Sequence, residues 1–192
     1  MGGKFSSQVS QEDVIELQQK THFDEMELMS LYEQFTRISN SQIRDDLIDQ
    51  EEFREALGLT NSDYIVHRIF SVFDENGDGF INVKEFICGL SFMSKKATFE
   101  DKLKFVFRIY DLDRDGFIDK EELYNVFKAS LDQTALSLTE EQMRSMIDST
   151  FFEADLNHDG LISYDEFRLM VIKHPQMIDS MTLNKDLIAL PK

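Results

Sequence analysis

Oxygen-bearing side chains recur at one fixed spacing in three stretches of the chain. In FDENGDGFINVKEF, from Phe73, Asp74, Asn76, Asp78, Asn82 and Glu85 fall at positions 1, 3, 5, 9 and 12 of a loop, with the carbonyl of Phe80 at position 7. YDLDRDGFIDKEEL, from Tyr110, places Asp111, Asp113, Asp115, the carbonyl of Phe117, Asp119 and Glu122 in the same way. ADLNHDGLISYDEF, from Ala154, does so with Asp155, Asn157, Asp159, the carbonyl of Leu161, Ser163 and Glu166. Such a set suits calcium, a hard cation that takes six to eight oxygens at about 2.3–2.6 Å. Position 12 is Glu each time, long enough to offer both carboxylate oxygens and so to favour calcium over the smaller, octahedral magnesium. Position 6 is Gly79, Gly116 or Gly160, where the turn needs a conformation that costs most residues with a Cβ on the order of 1 kcal/mol. On average composition, D-x-[DN]-x-[DN]-G-x5-E arises at a given start on the order of once in 10⁵ to 10⁶, so repeated matches exclude chance. Acidic surface turns without a metal would leave clustered carboxylates repelling one another.

Helices must hold these loops. Ile65, Ile69 and Val72 precede the first of them at helical spacing, and Leu103, Val106, Phe107 and Tyr110 precede the second. Apolar stripes also follow: Phe86, Ile87 and Leu90, then Leu123, Phe127 and Leu131, then Phe167, Met170 and Val171. Thr139 with Gln142 reads as a capping box opening the last entering helix. The repeating unit is therefore helix, loop, helix: the EF-hand. Ile81, Ile118 and Ile162 at position 8 suit a short strand by which two units pair. A divergent unit spans Phe35 to Leu57, with Ile48 and Glu52 at positions 8 and 12. A twelve-residue count puts Ser41, Ile43 and Asp46 at 1, 3 and 6 and fails as a site, whereas fourteen residues from Ser39 to Glu52 give a loop using backbone carbonyls. Weak calcium binding and a purely structural partner both remain open for it. The expected fold is all-α, four EF-hands in two lobes, with strands only where loops meet. Residues 1–24 form an N-terminal signal and helix, 25–93 one lobe, 94–174 the other and 175–192 an apolar tail, and the polar run Ser94 to Thr98 divides the lobes.

Composition narrows the function. A net charge of -17 repels nucleic acid and anionic lipid headgroups and attracts cations. Cys88 is the sole cysteine, which excludes an internal disulfide and a thiolate cluster, and His22, His67, His158 and His174 sit at no ligand spacing. With no nucleophile–base pair, phosphate-cradling glycine loop or zinc signature, no catalytic residue is expected. No apolar run approaches the ~18 residues of a membrane span, and no secretory signal opens the chain; a cytoplasmic location is expected. Met1-Gly2-Gly3-Lys4-Phe5-Ser6 fits the myristoylation pattern at Gly2. One such chain gives only reversible, peripheral membrane association.

The chain resembles the calcineurin B and calcineurin B-like family of calcium sensors over nearly its whole length. FEDKLKFVFRIYDLDRDGFIDKEEL, Phe99 to Leu123, is similar to that family's third EF-hand. ISNSQIRDDLIDQEEF and HPQMIDSMTL look more like the plant-type calcineurin B-like branch. The resemblance implies a non-catalytic regulatory subunit that binds a helix of a Ser/Thr phosphatase or Ser/Thr kinase. Plant-type members end in Phe-Pro-Ser-Phe; here the sequence ends Leu190-Pro191-Lys192, which weakens the kinase version and leaves the phosphatase version open. A calcium buffer without a partner is the rival class. Calcium sensors expose a Met-rich groove on opening, and Met93, Met143, Met146, Met170, Phe105, Phe127 and Phe151 are candidates that fit core positions equally. Beyond Pro175, the residues Met177, Ile178, Met181, Leu183 and Leu187 are expected to cover that groove until a partner helix displaces them.

Overall fold

A computed structural model describes residues 10–41, 45–58, 63–131 and 138–174. Gly2, Ile43, Pro175 and the apolar tail lie outside these residues. Among the described residues the fold is helical, with strands of two residues only. They fall into two compact units, one holding those up to Gly58 and from Phe70 to Thr98, the other those of 59–69 and from Phe99 onward.

The first unit contains α1 (Gln11–Lys20), α2 (Glu25–Ile38), α3 (Gln50–Leu57), the end of α4 (Asp63–Phe73) and α5 (Val83–Met93). Capping boxes start α1 (Ser10 with Asp13), α2 (Asp24 with Glu27), α3 (Asp49 with Glu52) and α5 (Asn82 with Glu85), each binding two N–H groups that a helix end leaves unpaired. Leu28, Leu31 and Phe35 of α2 are buried, as are Phe86, Ile87 and Leu90 of α5, on which α2 packs. Phe53 of α3 lies edge-on to Phe70 and Phe73, with centroids 5.6 and 5.0 Å away. Ile48 and Ile81 each donate an N–H to the other's carbonyl, at 3.0 and 2.9 Å, and neither side chain has any exposure. The divergent unit is thus the mate of the first intact loop. α1 buries Val14 and Leu17, and Lys84 binds it from the loop side through Asp13 at 2.6 Å and Glu16 at 3.0 Å. That contact, led by the hydrogen bond from Lys84, lowers the Asp13 carboxyl to about 2.

The second unit contains the start of α4, then α6 (Phe99–Tyr110), β1 (Phe117–Ile118), α7 (Lys120–Leu131), α8 (Glu140–Ala154), β2 (Ile162–Ser163) and α9 (Tyr164–Lys173). β1 and β2 pair antiparallel, Phe117 with Ser163 and Ile118 with Ile162, so the position-8 isoleucines again meet. Thr139 and Gln142 form the expected reciprocal cap of α8. Leu103, Val106, Phe107, Ile118, Ile147, Phe151, Ile162, Phe167 and Val171 make the core. On α7 the stripe differs from expectation: Leu123, Phe127 and Leu131 are partly buried, while Tyr124, Val126 and Ala129 are buried. α7 packs against both α6 and α8, so its covered face is wider than one stripe. Most of the groove candidates are core here. Met143, Met170, Phe105 and Phe151 are buried, Phe127 and Met93 partly so, and Met146 is exposed.

Gly89 sits inside α5, where Ala would ordinarily favour the helix by about 1 kcal/mol. A Cβ there would overlap the Phe73 ring, and overpacking of that kind costs about 1–3 kcal/mol. Gly89→Ala should therefore lower the thermal midpoint of the chelator-treated protein, as followed by circular dichroism.

Candidate metal centres

In each intact loop the residue at position 9 is also the cap of the exiting helix, and the Glu at position 12 is its third residue. Asn82 and Glu85 hold each other this way, as do Asp119 with Glu122 and Ser163 with Glu166. Helix capping therefore aims the glutamate inward whether or not an ion is bound. Its second oxygen spans the loop. Glu85 Oε1 accepts from the N–H groups of Glu75 and Asn76, both at 3.1 Å. Glu122 Oε1 accepts from Leu112 at 2.7 Å and Asp113 at 3.3 Å, and Glu166 Oε1 from Leu156 at 3.0 Å and Asn157 at 3.3 Å.

The aspartates at position 1, Asp74, Asp111 and Asp155, are buried. Each accepts the N–H of the position-6 glycine, at 2.9, 3.2 and 2.9 Å. Those glycines have φ of 87°, 89° and 86° for Gly79, Gly116 and Gly160. Position 3 takes the N–H of position 5, as in Asn76 with Asp78 at 2.8 Å, Asp113 with Asp115 at 3.1 Å and Asn157 with Asp159 at 2.9 Å. Position 5 takes the N–H of position 7, from Phe80, Phe117 and Leu161, at 2.9, 2.8 and 2.9 Å. Each loop is wound inward on its own oxygens.

The loop at Asp111 is the most charged. One carboxylate oxygen each from Asp111, Asp113 and Asp115 lie within 4.8 Å of one another, the span of oxygens about 2.4 Å from a common point. Asp111 Oδ1 is buried without a hydrogen-bond partner, a cost that a cation would remove. The donor set thus fits a calcium-sized ion. Burial, with the nearby Asp115 and Asp113 carboxylates, holds the Asp111 carboxyl above its usual value, and burial does the same to Glu122. Burial also acts on Glu166, but hydrogen bonds from the Ser163 side chain and backbone outweigh it and hold that carboxyl below its usual value.

Two features escaped the sequence reading. Position 4 is left-handed in every intact loop: Gly77, Arg114 and His158 have φ of 74°, 63° and 60°. Gly77 was the one visible sign of it. In the divergent loop, Asp46 stands where the others have glycine, with φ 60°, and the buried Glu52 accepts from Ser41 Oγ at 3.2 Å and from the Asp49 N–H at 3.3 Å.

Helix–loop–helix units joined through position 8, with oxygens gathered in their loops, define an EF-hand protein. The family model described as "EF-hand domain pair" matches residues 100–172, and that described as "EF hand domain" matches 65–93. The calcineurin B protein of Naegleria gruberi is 35% identical over 181 residues, covering 94% of this chain and 98% of that protein. Calcineurin B of Schizosaccharomyces pombe is 36% identical over 95% of this chain and 98% of its own length. The human calcineurin B of type 2 is 36% identical over 79% of this chain and 85% of its own. The chain belongs to the calcineurin B family.

A Cβ on Gly160 would meet open space, so only its φ opposes a substitution. Gly160→Ala should cost about 1 kcal/mol, measured as a lower urea midpoint with unchanged slope in chelator.

Proposed function

We propose that this chain is a calcium sensor and a regulatory subunit, without catalytic activity of its own, that binds an amphipathic helix of a Ser/Thr phosphatase catalytic subunit. The observation that carries the reading is the inward gathering of Asp111, Asp113 and Asp115 around the buried, unpartnered Asp111 Oδ1. Calcium is held by the loops at Asp74, Asp111 and Asp155. The loop at Asp111 is tightest, because carboxylates fill its positions 1, 3, 5, 9 and 12. The divergent loop serves its mate through Ile48, and in it Ser41 competes for Glu52.

Bound calcium supplies positive charge that offsets the carboxylate repulsion. Glu85, Glu122 and Glu166 lie in the first turns of α5, α7 and α9, so a pull on those carboxylates acts on the exiting helices and on the apolar surface between them. Exposed Phe99, Met146, Phe152, Leu169 and Ile172 in the second unit favour an apolar partner over a buffer that works alone. Gly2 is myristoylated and gives reversible membrane association from a cytoplasmic location.

Calorimetric titration should find three strong calcium sites, with Glu85→Gln, Glu122→Gln and Glu166→Gln each removing one. Glu122→Gln should cost the most affinity; a smallest effect there would refute the ranking. Capture on the immobilised protein should retain a Ser/Thr phosphatase catalytic subunit in calcium and release it in chelator. Recovery of a Ser/Thr kinase instead would point to the calcineurin B-like role. No calcium-dependent binding of an apolar dye would favour the buffer. Co-expression with an N-myristoyltransferase should add one myristoyl mass, and Gly2→Ala should abolish it.

A further inference from the structure

Arg68, on the part of α4 that belongs to the second unit, is only 5% exposed. Its guanidinium runs along the end of α6 and into the loop that follows. Nε donates to the Ile109 carbonyl at 3.1 Å, and Nη2 donates to those of Arg108 and Asp111, both at 3.0 Å. Nη1 reaches the Leu112 carbonyl at 3.5 Å. Carbonyls at a helix C-terminus lack intrahelical donors and carry the negative end of the helix dipole. A planar fork with several donors suits several of them at once, which a lysine ammonium cannot match. Two of these carbonyls belong to positions 1 and 2 of the loop, Asp111 and Leu112. Asp111 supplies the buried oxygen at position 1, and the Leu112 N–H binds Glu122 Oε1 at 2.7 Å. The same fork therefore fixes the peptide units that carry the first ligand and orient the last.

We propose that Arg68 is a positioning residue for the calcium site at Asp111, holding the entry of that loop through its carbonyls. The assignment rests on the reading that this loop takes calcium. It acts against electrostatics, since a positive charge close to the site opposes a cation by its field alone. Position and field thus predict opposite signs when the residue is replaced.

The Gly116 and Gly160 amides, each bound to the position-1 aspartate of its own loop, report the two sites separately in nitrogen–proton correlation spectra. Calcium is titrated into the full chain and into Arg68→Lys, which keeps the charge and loses the fork, and Arg68→Met, which loses both. The expected result is a Gly116 midpoint raised roughly tenfold in both variants, with a clearly smaller shift at Gly160. An unchanged Gly116 midpoint in Arg68→Lys, or a lowered one in Arg68→Met, would overturn the proposal in favour of a field effect. Equal shifts at Gly116 and Gly160 would overturn it in favour of general loosening, and should Arg68→Met not fold, Arg68→Lys alone decides. No Gly116 response in the unsubstituted chain would overturn the calcium reading of this loop and the role of Arg68 with it.

Discussion

Carboxylate oxygens held within 4.8 Å of one another, as in Asp111, Asp113 and Asp115, repel by about 3 kcal/mol per pair at an effective dielectric constant near 20. Much of the structure answers that repulsion. Backbone N–H groups of the loop are turned inward to each aspartate, and the glutamate at the loop's end is caught between the cap residue and the N–H groups at the loop's start. Left-handed residues at positions 4 and 6 make the inward turn possible. The paired isoleucines at position 8 keep the arrangement from springing open, because their side chains are sealed in the core behind it.

What could be read in the sequence were the features fixed by neighbours a few residues apart. Thr139 with Gln142 forms the cap its spacing implied, and Ile118 meets Ile162 in the register that position 8 dictates. Calcium ligands and helix caps share one short pattern, which is why the loops were legible. Features set by distant partners were not. Arg68 looked like an ordinary charged helix residue, since nothing local reveals carbonyls forty residues on. Gly89 gave no sign of the Phe73 ring beside it. Tyr124 and Val126 lie off the stripe of Leu123 and Phe127, and only the packing of α7 on two helices shows why they are covered. Asp46 could be placed at the glycine position by counting back from Glu52, but the count says nothing of its left-handed backbone.

Membership of the calcineurin B family and the internal geometry meet at the glutamates. Glu85, Glu122 and Glu166 are each the last oxygen donor of a loop and a first-turn residue of a helix. A protein that senses an ion needs some group belonging to both the ion's surroundings and the moving part, and these residues meet that need without any long relay. The divergent loop retains the join at Ile48 while engaging Glu52 internally, so it keeps the architecture of a pair while its ion chemistry is reduced.

Lys84 brings a different kind of sensitivity. It lies between Asn82 and Glu85, and its ammonium holds α1 by two carboxylates at the water-exposed edge of the first unit. Contacts of this sort weaken as electrolyte shortens the Debye length to about 8 Å and below, whereas the apolar seat of Val14 and Leu17 does not. The N-terminal helix is therefore docked by one bond that dissolved salt can loosen and one that it cannot, and the one it can loosen is anchored inside an ion-binding loop.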